Sequence, residues 1–359
     1  MMPEGAALTS LRVEGLQRFR LLKADAAAAV TERLYALHDT TYAPFGQRGR
    51  EACREDLAFH LEFLQPTLEF GLLQPMVDYL HWIASVLAAR AIPSAHLAVS
   101  LDLLAEFFTE HMQATDAAVV SAALGAARAQ FLRGRELPRA PTLPSTAWPE
   151  ATAFEAALLA GDQRAAMVLV NACIDQGQSL IDVEQHVIQP ALYHIGDCWQ
   201  ANQISVAEEH LATAIAQAVM TTGLLRSPVP EMLGKRVLLA CVAGNQHAVG
   251  LHMVADAFQL AGWDIRYLGA SVPGPAIVQL AADWKADLVG LSASFAHQLR
   301  GVKETIALLR ETIGPGGPAV MVGGLAFNRF PRIADLIGAD ASTADARAAV
   351  ACANRIVNG

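Results

Sequence analysis

The sequence predicts a multidomain chain, all-α at its start and α/β at its end. Three observations carry that prediction. Apolar residues recur at three and four spacing from about Leu11 to Arg135, a proline-rich break follows, and from Lys235 short β-branched runs alternate with helical stretches. Length agrees, since 359 residues of which 53% are hydrophobic and 17% charged can bury two or three separate cores.

Residues 1–136 read as one all-α domain, with the clearest amphipathic stretches at 56–70, 73–90 and 94–111. In the stretch 137–149, Pro138, Pro141, Pro144 and Pro149 deny helix and sheet their N–H donors, which marks an extended linker. Residues 150–230 then hold four helical stretches, broken at Gly161-Asp162, at 176–179 and at 202–204, spacings that suit a four-helix bundle. The last of these begins at Ser205, with Glu208 three residues on in the reciprocal capping arrangement and Ala207, Leu211, Ile215 and Val219 along one face.

Residues 231–359 change period. Strands are expected at 237–242, 265–268, 288–292, 320–322 and 339–342, with helices beginning near His247, Pro275, Gln298, Arg332 and Asp345. That pattern is a five-stranded, doubly wound parallel sheet of flavodoxin-like strand order. Its ligand belongs beyond the carboxyl ends of the strands, where the strand order reverses.

Composition excludes several classes. The cysteines Cys53, Cys173, Cys198, Cys241 and Cys352 are odd in number and none is spaced as CxxC, which suits reduced thiols rather than disulfides or zinc. A formal net charge of −9 without a Lys/Arg-rich run gives no electrostatic footprint for phosphate backbones, so no direct nucleic-acid contact is expected. No apolar run reaches the roughly 18 residues of a membrane span, and the start has no basic flank before an apolar core. A cytoplasmic protein with no membrane contact is the expectation.

The chemistry gathers at the expected carboxyl edge of the sheet. After the first strand comes Gly244-Asn245-Gln246-His247-Ala248-Val249-Gly250; Ser292-Ala293-Ser294 ends the third strand and Gly323-Gly324 the fourth. A histidine in such a loop has a lone pair suited to a borderline transition metal, and Gly250 allows close approach of the next helix to a ligand. Alone, His247 reads as a solvated loop residue. Taken in this order, His-x-x-Gly, the serine strand end and Gly-Gly resemble the cobalamin-binding Rossmann-like domain. The resemblance implies that the nucleotide tail of the cofactor lies in this slot and that His247 replaces it as axial ligand to cobalt. Asn245 stands where that family usually has Asp; it is expected to accept the imidazole N–H bond without a charge, which weakens the axial bond. Ser292-Ala293-Ser294 stands where many members have Ser-x-Leu.

Trp199, nine residues, then Glu209-His210 resembles the helical cap of cobalamin-dependent photoreceptor repressors. This implies that Trp199 covers the upper corrin face where an adenosyl group sits, with Glu209 and His210 near it. Gln200 stands where those repressors place a histidine that captures cobalt after light. His194, five residues before Trp199, is expected to face roughly the other side of its helix.

In the first domain, Cys53-Arg54-Glu55-Asp56 followed by an apolar helix resembles the phycobiliprotein pattern, extending through Gly71, Leu73 and Tyr79 to residues 90–93. The likeness implies a globin-like fold, a thioether from Cys53 to a bilin such as biliverdin, Arg54 on a propionate and Asp56 on the pyrrole N–H groups. Arg54 is shifted by one place, and a plain helical domain with a buried free cysteine is the equal alternative.

The whole is similar to the photocobilin type of light sensor, which implies cobalamin, as adenosylcobalamin in the dark, and a bilin in one non-enzymatic signalling protein. A separate protein effector and a homo-oligomer are the partners expected. Two alternatives stay open: a cobalamin-only sensor or antirepressor-like regulator, and a corrinoid carrier for a methyltransferase. A carrier has no need of Trp199 as a lid, and a mutase needs a large substrate barrel for which the chain has no room.

Overall fold

The computed structural model describes residues 8–134, 147–331 and 333–358. The chain divides into two compact units, the first holding residues 1–139 with 200–202 grouped to it, the second holding 140–199 and 203–359. Most of the expected 137–149 linker, and the expected helix start at Arg332, lie outside the described residues.

The first unit is all-α as described, with long helices Val13–Leu37, Gly46–Phe70, Gln74–Ala88, Ala95–His111 and Ala114–Leu132. Phe19, Leu61, Leu64, Met76, Leu80, Leu104 and Phe108 are fully buried, and the Phe19 and Phe108 rings lie 5.0 Å apart. The second of these helices starts earlier than the apolar pattern implies, at Gly46, so Cys53, Arg54 and Asp56 sit within a helix and not ahead of one. Exposed residues fill its first turns, so no apolar stripe announces them.

The second unit joins a helical cap to a sheet. The cap comprises Glu150–Leu159, Gln163–Asp175, a composite helix over 180–200 and Val206–Arg226. Ser205 and Glu208 form the expected capping box, each side chain satisfying the other's backbone N–H. The composite helix widens to a π turn over Glu184–Ile188. Pro190 explains it: its nitrogen cannot donate to the carbonyl of His186, and that carbonyl accepts from the N–H of Trp148 at 2.9 Å.

The sheet comprises β1 (Arg236–Cys241), β2 (Asp264–Tyr267), β3 (Leu288–Ser292), β4 (Ala319–Gly323) and β5 (Ala341–Ser342), all parallel in the order β2-β1-β3-β4-β5. This is the flavodoxin-like order, with its switch point between β1 and β3. β3 is buried along its whole length and β1 beyond its first residue, as expected where helices cover both faces. Register aligns Cys241 with Ser292 and Ser292 with Gly323, so three strand ends meet at one carboxyl edge. The sequence reading misses the short helix Leu325–Arg329 and gives β5 two residues too many.

Candidate cofactor-binding site

Two side chains bridge the switch point. Asn245 is wholly buried; its Nδ2 donates to the Ser292 carbonyl at 3.0 Å and its Oδ1 accepts from the backbone N–H of His247 at 3.2 Å. The second, Gln298, escaped the sequence reading. Its Oε1 accepts from the N–H groups of Ser294 and Phe295 at 2.8 and 3.1 Å, while its Nε2 donates to the Gly244 carbonyl at 3.2 Å. A glutamine three residues after Phe295, at the head of a helix, occupies a capping place that could have signalled it.

Asn245 therefore does something other than expected. Its oxygen holds the loop backbone and not the imidazole, because the tight turn after β1 brings the His247 N–H to it first. What it fixes is where His247 leaves the sheet.

The His247 side chain is exposed at the lip and meets the edge of Phe295, ring centroids 5.1 Å apart at 83°. Protein atoms crowded around the ring push its pKa below the usual histidine value, and Glu209 in the cap pulls the other way. The imidazole is thus neutral near pH 7, with a lone pair free for a metal. A cobalt ion that arrives inside a macrocycle needs few further ligands, and one neutral nitrogen fits that need.

Small residues shape the rest. A Cβ added at Gly250 would meet nothing within 4 Å. At Gly324 the opposite holds: with φ at +93° and the Ala293 carbonyl 2.4 Å from a Cβ, only glycine fits. Ser292 is buried, Ser294 half-buried, and Gly323 lies beside them at the end of β4.

In the cap, Glu209 is half-buried and is held by His210 Nδ1 and by the Thr213 hydroxyl at 3.0 Å. Its negative charge acts to raise the His247 pKa, against the burial that lowers it. The His210 side chain is 74% exposed. Trp199 is half-buried near the end of the composite helix, and His194 pairs with Glu155 at 2.8 Å.

In the first unit, Arg54 is exposed and Cys53 and Asp56 are half-buried. Burial, chiefly, raises the Asp56 carboxyl to about 6, and the arginine whose charge opposes this is Arg90, not Arg54. The helix turns Arg54 outward while Arg90, at the end of another helix, lies within reach. Burial also raises the Cys53 thiol to about 11, which suppresses the thiolate a thioether bond would need. Nearby, His60 Nδ1 and the Tyr79 hydroxyl are 2.9 Å apart, and Tyr79 stacks on Phe63.

A doubly wound sheet with a neutral histidine at its switch point, joined to a helical cap, defines a cofactor-binding protein. Comparison with known proteins says which. Residues 235–352 match a B12 binding domain profile, and residues 151–222 match a second profile also described as a B12 binding domain. Dimethylamine corrinoid protein 3 of Methanosarcina acetivorans is 32% identical over 148 residues, 40% of this chain and 68% of that protein. The chain belongs to the cobalamin-binding family that these proteins represent. Similarity extends to two repressors of Myxococcus xanthus, the HTH-type transcriptional repressors CarA, 32% identical over 196 residues, and CarH, 26% over 181. Those alignments take in 53% and 50% of this chain but only 61% and 60% of the repressors' length. Among the described residues no helix is long and apolar enough to cross a membrane.

Proposed function

We propose that the chain is a cobalamin-binding light sensor, with His247 as the protein ligand to cobalt and with Trp199, Glu209 and His210 on the cap side. The observation that carries this reading is the carboxyl edge of the sheet, where Asn245 ties the His247 backbone to the Ser292 strand end within the residues that match a B12 binding domain profile. Asn245, Ser292, Ser294, Gly323 and Gly324 shape the slot for the nucleotide tail, and Gly250 keeps its mouth open. When bound as adenosylcobalamin, the cofactor supplies a light-labile cobalt–carbon bond. The chain's part is to hold cobalt from one side, to shield the other with Trp199, and to pass cap movement to a partner. That partner is a separate protein effector or a second copy of the chain. The test is the absorption spectrum and oligomeric state of the adenosylcobalamin-loaded protein before and after illumination. Changes in both are expected; unchanged spectra and unchanged assembly in light overturn the reading.

The first unit supplies a bilin site in this proposal, within a globin-like fold. Asp56 faces the pyrrole nitrogens, Arg90 the propionates, and the raised thiol of Cys53 favours a chromophore held without a covalent bond. Co-expression with a biliverdin-producing enzyme is expected to add red absorption.

A second reading, a corrinoid carrier for a methyltransferase, draws on the similarity to the dimethylamine corrinoid protein. It predicts methyl exchange with a methyltransferase in the dark and no light-driven change of assembly.

A further inference from the structure

Behind the cobalamin-binding edge, the cap and the sheet meet along an apolar seam. Met253, on the helix Val249–Leu260, joins the core of the cap, and Ile181 packs with Ala257 and Ala346. Inside this seam lie two acids. Glu184, at the start of the π turn, is 0% exposed, and Asp256, on the helix that follows His247, is 1% exposed.

Both Glu184 oxygens and Asp256 Oδ2 are buried without a hydrogen-bond donor. Two ionised carboxylates are acceptors only, and in a seam of Met, Ile and Ala their joint charge has no solvent to spread into. One proton between them resolves both problems, since an O–H on one acid donates to the other. Asp256 is the better seat for the negative charge, with His252 Nε2 3.7 Å from its Oδ1. Glu184 has burial and Asp256 as the influences upon it, and both push its carboxyl well above the usual range. On the elements around it, His186 stacks on Trp148 and three acids hold ion pairs. Asp182 pairs with Arg347, Glu155 with His194, and Asp175 with Arg226.

We infer that Glu184 and Asp256 share one proton and form a clasp that holds the helical cap against the sheet, opening when that proton leaves for solvent. The line continues toward the cofactor edge. His252 stacks on Tyr267 with centroids 5.1 Å apart, and the Tyr267 hydroxyl donates to the Ala248 carbonyl at 3.1 Å, one residue from His247. Cap engagement thereby becomes sensitive to pH at a place that does not touch the cofactor.

Glu184 is raised in the folded state, so its contribution is fully present below its ordinary value of about 4.5 and is lost as pH rises through its folded value. The scan therefore runs upward from that ordinary value.

The test uses the full-length protein without cobalamin, so that failure of the cofactor reading does not touch it. Infrared spectra of wild type, Glu184→Gln and Asp256→Asn are compared, alongside hydrogen exchange of residues 180–188 at each pH. Expected is a neutral carboxylic acid carbonyl band in wild type at about pH 7, missing in Glu184→Gln. Exchange in wild type should exceed that of Glu184→Gln increasingly as pH rises, by up to about tenfold per pH unit for one proton. No such band in wild type, a band that survives Glu184→Gln, or parallel exchange in the two proteins overturns the clasp. Should the variants fail to fold, the wild-type band decides: it must titrate together with exchange of 180–188, and a band that does not overturns the proposal.

Discussion

The loop that carries His247 and the helix that carries Cys53 were both marked by short sequence patterns, and they fared differently. At the sheet edge each marked residue lies on a strand end or in a tight βα turn, whose positions are fixed by the ladder of a buried parallel sheet. Asn245, Ser292 and Gly324 fall together because β1, β3 and β4 are in register there. In the helix, neighbours in sequence point 100° apart. Arg54 therefore turns to solvent, and the arginine whose charge reaches Asp56 is Arg90, just beyond the end of another helix. A pattern on strand ends converts to geometry more faithfully than one on a helix.

The sharpest way to test the contrast is at His247. His247→Ala should weaken cobalamin binding by at least the roughly 10–100-fold that losing even a supporting group costs a metal site, read by equilibrium dialysis. Gly324→Ala comes next. The new methyl meets the Ala293 carbonyl and the backbone sits at positive φ, so about 1–3 kcal/mol of stability should be lost, measured by denaturant unfolding. Gln298→Ala leaves the N–H groups of Ser294 and Phe295 without their acceptor and should cost about 1–3 kcal/mol. Equal stability of Gln298→Ala and wild type would break the view that the two loops are held as a unit.

In the first unit the predicted effects are smaller and depend on pH. Asp56, raised to about 6, contributes stability that is present below its ordinary value and lost as pH rises through about 6. His60, lowered to about 4 by burial, works oppositely: its contribution is present above about 6.5 and lost as pH falls toward 4. Between these values the two offset each other. Asp56→Asn should leave the His60 loss uncompensated, so thermal melts on the acid side should fall more steeply than wild type; parallel curves would show that Asp56 ionises normally. The smallest effect belongs to Arg54→Ala, expected within about 0.5 kcal/mol of wild type. A larger loss of stability or of bilin colour would restore the role that the sequence pattern gave it.

The strand order, the capping box at Ser205 and the cluster at the carboxyl edge were legible because period and turn chemistry are local signals. The π turn at Glu184–Ile188 was not, although Pro190 was in plain sight, since its consequence depended on Trp148 arriving to take the freed carbonyl. Asn245 was marked for the imidazole and holds the backbone: the choice depends on the turn that sets the His247 N–H 3.2 Å from its Oδ1. Asp256 and Glu184 were silent, because each is an ordinary acid until folding buries both in one seam.

The claim on which the rest stands is that His247 ligates cobalt. Electron paramagnetic resonance of the cobalt(II) form, prepared with and without nitrogen-isotope-labelled histidine, reads that bond directly. A nitrogen splitting that changes with the label and disappears in His247→Ala is the predicted result. A splitting indifferent to the label would place the cofactor's own base on cobalt and contradict the account.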